Sequence, residues 1–171
     1  ALVTLITAPT ALADPIGIEM VNIKSVVQLR DAVVKATQKA DILVMSAAGA
    51  DFIPRTTADQ KIKKSDAGLT LELIKAPDIL SEIKEGKYIK VGFKAEAQNL
   101  VDNAKEKLYK TNLDLIVAND VTKAGSGFGT DTNEVTIIHK DGKTEALPLM
   151  TKREVADQIL DRVVKLFKKK K

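Results

Sequence analysis

The chain has 171 residues, with 27 Lys and Arg against 23 Asp and Glu and a formal net charge of +4. That length supports one domain with a sizeable core, and 44% hydrophobic with 29% charged residues fits a globular chain rather than a disordered one. There is no cysteine and a single histidine, His139, which excludes disulfides, thiol catalysis and cysteine zinc sites and disfavours histidine triads.

At the N-terminus, Ala11-Leu12-Ala13 mimics a signal-peptidase site, but no basic segment precedes it, and Thr4, Thr7 and Thr10 interrupt the apolar run. Leu2–Ala8 therefore reads as a buried strand and Ile18–Ile23 as a second. The absence of an initiating Met suits a piece of a longer protein. Ser25 offers an N-cap with Gln28 at capping-box spacing, and Val26, Leu29, Val33 and Ala36 give the following helix one apolar face. Ile42–Met45 is a short, fully apolar run of the kind found inside a parallel sheet.

A polar stretch, Ala50–Gly68, follows and carries the basic cluster Lys61-Ile62-Lys63-Lys64. Leu69–Ile74 is expected to return as a strand. Pro77 is expected at the first position of a helix running to about Lys84, where its missing N–H costs nothing. Tyr88–Phe93 reads as a strand, Leu100, Val101, Ala104 and Leu108 mark a helix, and Leu113–Ala118 is another apolar strand. Gly125–Asn133 is glycine-rich. Glu134–His139 and Thr144–Pro148 flank Asp141-Gly142, a type I′ hairpin signal. Thr151 and Glu154 form a capping box before a last helix with Val155, Ile159, Val163 and Leu166 on its apolar face. The tail, Lys168–Lys171, reads as a solvated helix end.

This order predicts a single α/β domain over 1–171, Rossmann-like, with a mostly parallel sheet flanked by helices, a C-terminal β-hairpin and a lysine-bearing flap. No stretch approaches the roughly 18 apolar residues of a membrane span, so no membrane partner is expected and a cytoplasmic address is. A nucleic-acid partner is not expected either, because aromatics are only 4% and the basic excess sits in the tail.

In open α/β sheets ligands bind beyond the carboxyl ends of the strands. Three segments leave strands there: Ser46–Asp51, Phe93–Glu96 and Asn119-Asp120. The first is small, lets backbone N–H groups approach a ligand, and ends in a carboxylate suited to a sugar hydroxyl or a divalent cation. Small residues after a strand are also ordinary packing choices. No G-x-x-x-x-G-K-[ST] occurs, and Gly125-Ser126-Gly127-Phe128-Gly129 precedes a hairpin rather than a helix, so it fails as a dinucleotide fingerprint. Lys61-Ile62-Lys63-Lys64 reads as a solvated charge run or as a flap closing over phosphates.

Taken together, the segments resemble phosphopantothenoylcysteine synthetases over nearly the whole chain. Ala47-Ala48-Gly49-Ala50-Asp51-Phe52-Ile53-Pro54 before Lys61-Ile62-Lys63-Lys64 is similar to the family's A-A-V-A-D-[YFW]-R-P…K-I-K-K. Pro77-Asp78-Ile79-Leu80 resembles N-P-D-I-L, and Val91–Glu96 resembles V-G-F-A-A-E. Leu113–Val121 matches L-D-L-I-V-A-N-D-V, and Phe128–Asn133 resembles F-G-x-D-x-N.

The resemblance implies a ligase of coenzyme A biosynthesis. The phosphopantothenate carboxylate would attack the α-phosphate of CTP (ATP in some relatives), releasing pyrophosphate. The cysteine amine would then displace CMP from the acyl-cytidylate. It implies Lys61 as the catalytic, nucleotide-contacting lysine and Asp51 as a nucleotide- and Mg²⁺-proximal carboxylate. It further implies Pro77, Asp78, Ile79, Leu80 and Phe93 as the base pocket, Met45, Ser46 and Ala47 as a strand-end contact, and Lys107 as a helix lysine near the phosphates. Partners implied are 4′-phosphopantothenate, cysteine, CTP and a second copy of the chain; FMN would enter only with an upstream decarboxylase domain.

The departures are Gly49 for Val, expected to loosen the turn; Ile53 for Arg, losing an anion partner; Ala76 for Asn, expected to remove a helix cap; and Thr111 at an often basic position beside Lys110. The family's N-terminal strand, G-G-T turn and N-x-S-S-G segment would precede Ala1, so the piece alone is expected to bind nucleotide at best. Two other readings remain. One is a non-catalytic nucleotide-binding or regulatory domain, favoured by Ile53 and Ala76. The other is an NAD(P)-dependent short-chain oxidoreductase, whose Tyr-x-x-x-Lys is absent: Gly92 follows Tyr88, and Leu113 follows Tyr109, at the lysine place.

Overall fold

The computed structural model describes residues 1–63, 68–83, 86–127 and 129–170. Lys64, Lys84, Phe128 and Lys171 lie outside them. In chain order the elements are β1 (Thr4–Thr7), β2 (Glu19–Asn22), α1 (Val26–Thr37), β3 (Ile42–Met45), β4 (Phe52–Pro54), β5 (Leu73–Lys75), α2 (Ile79–Glu82), β6 (Ile89–Glu96), α3 (Leu100–Lys110), β7 (Leu115–Asp120), β8 (Thr132–His139), β9 (Thr144–Thr151) and α4 (Lys152–Lys170). They form two compact units, one from Ala1–Lys35 with Ala48–Glu82 and the other from Ala36–Ala47 with Ile83–Lys171. No helix among the described residues is long and apolar enough to cross a membrane.

In the first unit β1 and β2 pair in parallel, Thr4 opposite Glu19 through Thr7 opposite Asn22. α1 follows, with Leu29 and Val33 buried. Its Ser25 cap forms as expected, the Ser25 hydroxyl accepting from the Gln28 amide at 3.2 Å. Gln28 reaches back one residue further than a capping box requires, accepting from the Lys24 amide at 2.7 Å.

The polar stretch after β3 is not wholly irregular. Phe52–Pro54 forms β4 and pairs antiparallel with β5, Ile53 opposite Ile74, and the expected 69–74 strand starts only at Leu73. Pro77 is not in the first turn of a helix: α2 starts at Ile79. Its cap is Asp78, whose carboxylate accepts from the Ser81 hydroxyl at 2.8 Å and whose carbonyl accepts from the Ser81 amide at 3.0 Å. The cap expected to be lost at Ala76 is therefore present two residues on.

The second unit is built on a five-stranded sheet of order β3-β6-β7-β8-β9. β3, β6 and β7 are parallel, and β8 runs antiparallel to β7 and β9 to β8. Four of the five strands thus point one way, the mixed but mostly parallel α/β sheet expected. Strand alternation turns Ile89, Val91, Leu115, Val117, Val135 and Ile137 toward Val155, Ile159 and Val163 of α4. The opposite face, with Ile116, Ala118 and Ile138, packs on α3, whose Ala104 and Leu108 are fully buried. Each such large side chain contributes about 1.5–3 kcal/mol by leaving water. Gly92 leaves room for the Leu113 side chain, which would lie 2.5 Å from an added Cβ and would have to shift.

The hairpin at Asp141-Gly142 forms, but not through a type I′ turn, which needs positive φ at both residues. Only Gly142 has it, at 89°. The Gly142 amide donates to the His139 carbonyl at 2.9 Å and the His139 amide to the Lys143 carbonyl at 2.8 Å. That is a three-residue loop, a type I turn closed by a glycine bulge. The Thr151–Glu154 capping box is present in both directions, at 2.8 and 3.2 Å.

Candidate functional site

In the second unit, β3 ends at Met45 in register with Gly92, while β6 runs on to Glu96, which is in register with Asp120 at the end of β7. Met45 is half-buried, and Ser46 and Ala47 beyond it are exposed. Phe93, one residue along β6, is partly buried against the core under α4. Lys107 reaches across from α3, and its ammonium donates to the Phe93 carbonyl at 3.0 Å. The fold thus brings together three of the sequence-derived positions, Met45, Phe93 and Lys107, at the edge where such sheets bind ligands.

The first unit holds the rest. Asp51 is exposed and stands at the base of the β4–β5 hairpin, its carbonyl accepting from the Ala76 amide at 2.8 Å. This bond sets Asp51 beside the segment Pro77-Asp78. Lys61 is exposed in the loop joining the two strands. Ile79 and Leu80 are buried, so only their backbone groups remain to touch a ligand. Asp78 already serves as the cap of α2.

A cavity of about 270 Å³ opens in this hairpin, lined by Pro54, Thr56, Ile62, Leu69, Leu71 and Glu72 among others. It is smaller than most ligand pockets, and it shows that Ile62, Leu69 and Leu71 give the stretch an apolar side. Ile53, which replaces the family's Arg, serves as a cross-strand partner of Ile74. Thr111 is buried, its hydroxyl donating to the Lys107 carbonyl at 2.7 Å, while Lys110 beside it is exposed.

No group of three or more His, Cys, Asp or Glu side chains fit to hold a metal occurs among the described residues. Asp51 alone still fits Mg²⁺, which keeps most of its waters and binds through one or two carboxylates plus substrate phosphates. Such an ion would travel with a nucleotide.

Sequence reading overlooked two charged groupings. Lys94 is 2.7 Å from Glu96 on β6, a pairing legible once the strand is drawn, because i and i+2 share a face. At the far end of the hairpin, Glu145 gathers His139 at 2.6 Å, Arg162 at 3.0 Å and Lys143 at 3.3 Å. Burial alone would raise the Glu145 pKa, but hydrogen bonds from His139, Arg162 and Lys143 hold it down at about 2. In the turn after β7, the Thr122 hydroxyl and amide hold Asp120 below the usual carboxylate range.

Residues 1–167 match the family described as DNA/pantothenate metabolism flavoprotein, C-terminal domain. The coenzyme A biosynthesis bifunctional protein CoaBC of Bacillus subtilis is 47% identical over 169 residues, covering 97% of this chain. The chain spans only 42% of that relative's own length. The crystal structure of a CoaBC C-terminal domain superposes with a TM-score of 0.80 at 36% identity, covering 98% of this chain and 77% of that one. A Cab2 variant in complex with phosphopantothenate-cysteine shares the fold at a TM-score of 0.69 and 18% identity, over 90% of this chain and 54% of that one.

Proposed function

The chain belongs to the DNA/pantothenate metabolism flavoprotein C-terminal domain family, and from that membership we propose that it is the ligase module joining 4′-phosphopantothenate to cysteine in coenzyme A biosynthesis. The observation carrying this reading is the Lys107 ammonium held on the Phe93 carbonyl beside Met45, a cation fixed where a parallel sheet offers its ligand edge.

The chemistry requires a carboxylate to become an acyl donor. In the proposed first step a phosphopantothenate carboxylate oxygen attacks the α-phosphorus of CTP, the bond to the bridging oxygen breaks, and pyrophosphate leaves. In the second step the cysteine amine attacks the acyl carbon, the mixed anhydride opens, CMP departs and an amide remains. Both steps gather negative charge on phosphate oxygens, which positioned cations stabilise. Lys61 is assigned the catalytic role of neutralising that charge, and Lys107 holds the phosphates. Met45, Ser46 and Ala47 form the strand-end contact. Pro77, Asp78, Ile79, Leu80 and Phe93 form the base pocket, and Asp51 would hold the nucleotide's Mg²⁺, which would supply further charge neutralisation.

The remaining assignments are that residues 1–171 belong to one ligase domain, that two copies associate, that the address is cytoplasmic, and that FMN enters only if a decarboxylase domain lies upstream. The test is pyrophosphate release from CTP or ATP, with 4′-phosphopantothenate and Mg²⁺, by this chain alone and by the longer encoded protein. Release by the longer protein that depends on phosphopantothenate, followed by CMP only after cysteine is added, is the expected result. A protein that binds CTP and never forms the acyl-cytidylate would be a non-catalytic nucleotide-binding domain instead.

A further inference from the structure

The ligase reading leaves one charged pair at the ligand edge of the second unit without a role. Ile89, Val91 and Phe93 of β6 belong to the core under α4. Alternation therefore turns Lys94 and Glu96 to the other face, where α3 lies. Both are only partly exposed, at 35% and 23%, with Lys94 Nζ 2.7 Å from Glu96 Oε1. An ammonium has three donors. Glu96 takes one, and Lys94 has no other protein partner among the described residues. The Lys107 ammonium ends on the Phe93 carbonyl, the peptide leading directly into Lys94.

One lysine is thus bonded to the carbonyl just before the other in this stretch of β6. Glu96, which pairs with Lys94, is in register with Asp120 of β7. Asp120 Oδ1 is already engaged by the Thr122 amide at 2.9 Å and hydroxyl at 2.6 Å. With two lysines and two carboxylates in this stretch, the edge carries no broad positive field, so an anion bound there would need directed N–H contact.

We propose that Lys94 contacts the ligand in the nucleotide step, donating to a phosphate oxygen at the carboxyl end of β6, with Glu96 as the positioning residue that holds its ammonium there. The proposal rests on the ligase reading. The family motif quoted above has alanine at this place, which could make no such contact.

The experiment measures binding of inorganic pyrophosphate with Mg²⁺ by calorimetry, and KM for CTP, in the full-length protein and its Lys94→Gln, Lys94→Arg and Glu96→Gln variants. Lys94→Gln should weaken pyrophosphate binding and raise KM for CTP about tenfold or more, the effect of one lost hydrogen bond to a charged group. KM for cysteine should stay unchanged. Lys94→Arg should recover most of the loss, and Glu96→Gln should lose only a few-fold, about what a less fixed ammonium costs. Because the contact is direct, the loss should persist at raised salt, where long-range attraction is screened. Unchanged pyrophosphate binding in a folded Lys94→Gln protein, or a loss that disappears with salt, overturns the proposal alone. A parent protein that binds neither pyrophosphate nor CTP overturns the ligase reading with it.

Discussion

Lys170, near the end of α4, sets its ammonium 3.1 Å from the Asp114 carboxylate. The same ammonium donates to the Tyr88 carbonyl at 3.3 Å, and Asp114 Oδ2 accepts the Lys90 amide at 2.8 Å while the Asp114 amide returns to the Lys90 carbonyl at 2.9 Å. The tail lysine expected to wave in solvent instead clasps the entry of β6 and β7. Lys170→Ala should cost only about 0.5 kcal/mol, as partly exposed pairs do, and the cost should shrink with added salt. Asp114→Ala should cost about 2 kcal/mol, because it also strips the Lys90 amide of its acceptor. Urea denaturation at low and high salt separates the two.

Glu145 gives the fold a pH dependence whose sign is fixed. Its carboxylate sits at about 2 in the folded chain against 4.5 when unperturbed. It therefore stabilises fully above pH 4.5 and loses that contribution as pH falls toward 2. The stability gap between the parent and Glu145→Gln should be widest near neutrality and close between those limits. Acid titration followed by circular dichroism measures it; a gap that widened as pH fell would contradict the assignment.

Two glycines should respond to alanine for different reasons. At Gly142 nothing lies within 4 Å of an added Cβ, but φ is 89°, so Gly142→Ala should cost about 1–2 kcal/mol of backbone strain, with Gly142→Asn milder. At Gly92 the obstacle is Leu113, 2.5 Å from the new carbon and fully buried. Gly92→Ala should cost about 1–3 kcal/mol by overpacking, and Gly92→Ala with Leu113→Val should recover part of it. Thermal denaturation of the set, including the double variant, decides between strain and crowding.

The α4 capping box offers a separable test. Thr151→Ala removes the acceptor of the Glu154 amide and should cost about 1 kcal/mol, while Thr151→Ser should cost little. Glu154 is held below its ordinary range by the Thr151 hydroxyl and amide, so in Thr151→Ala its titration, followed by NMR, should move back up.

Where one stretch of chain carries its own pattern, the fold was legible. Ile42–Met45 is an unbroken apolar run and became β3 over the same residues, though at the edge of the described sheet with Ile42 and Val44 exposed rather than inside it, and Val155, Ile159 and Val163 at helical spacing became the buried face of α4. β4 escaped notice because three residues ending in proline carry no period, and it exists only through pairing with β5. The turn at Asp141-Gly142 was read from a dipeptide, whereas its type depends on the φ of the residue before the glycine. The Lys170–Asp114 clasp spans 56 positions and leaves no local trace. Of the candidate site, the strand-end positions were legible because small and charged residues interrupt apolar runs there, whereas the role assigned to each residue came from the family resemblance. The partnership of Lys94 with Glu96 needed the strand's two faces to be known.

The parting of β3 from β6 along the chain has a consequence for biosynthesis. β3 ends at Met45, and its one sheet neighbour among the described residues begins at Ile89. At about 5–20 residues per second on the ribosome, an apolar strand emerges roughly 2–9 seconds before the strand that can shelter it. During that window the backbone edge of Ile42–Met45 has no strand to pair with and is open to other chains.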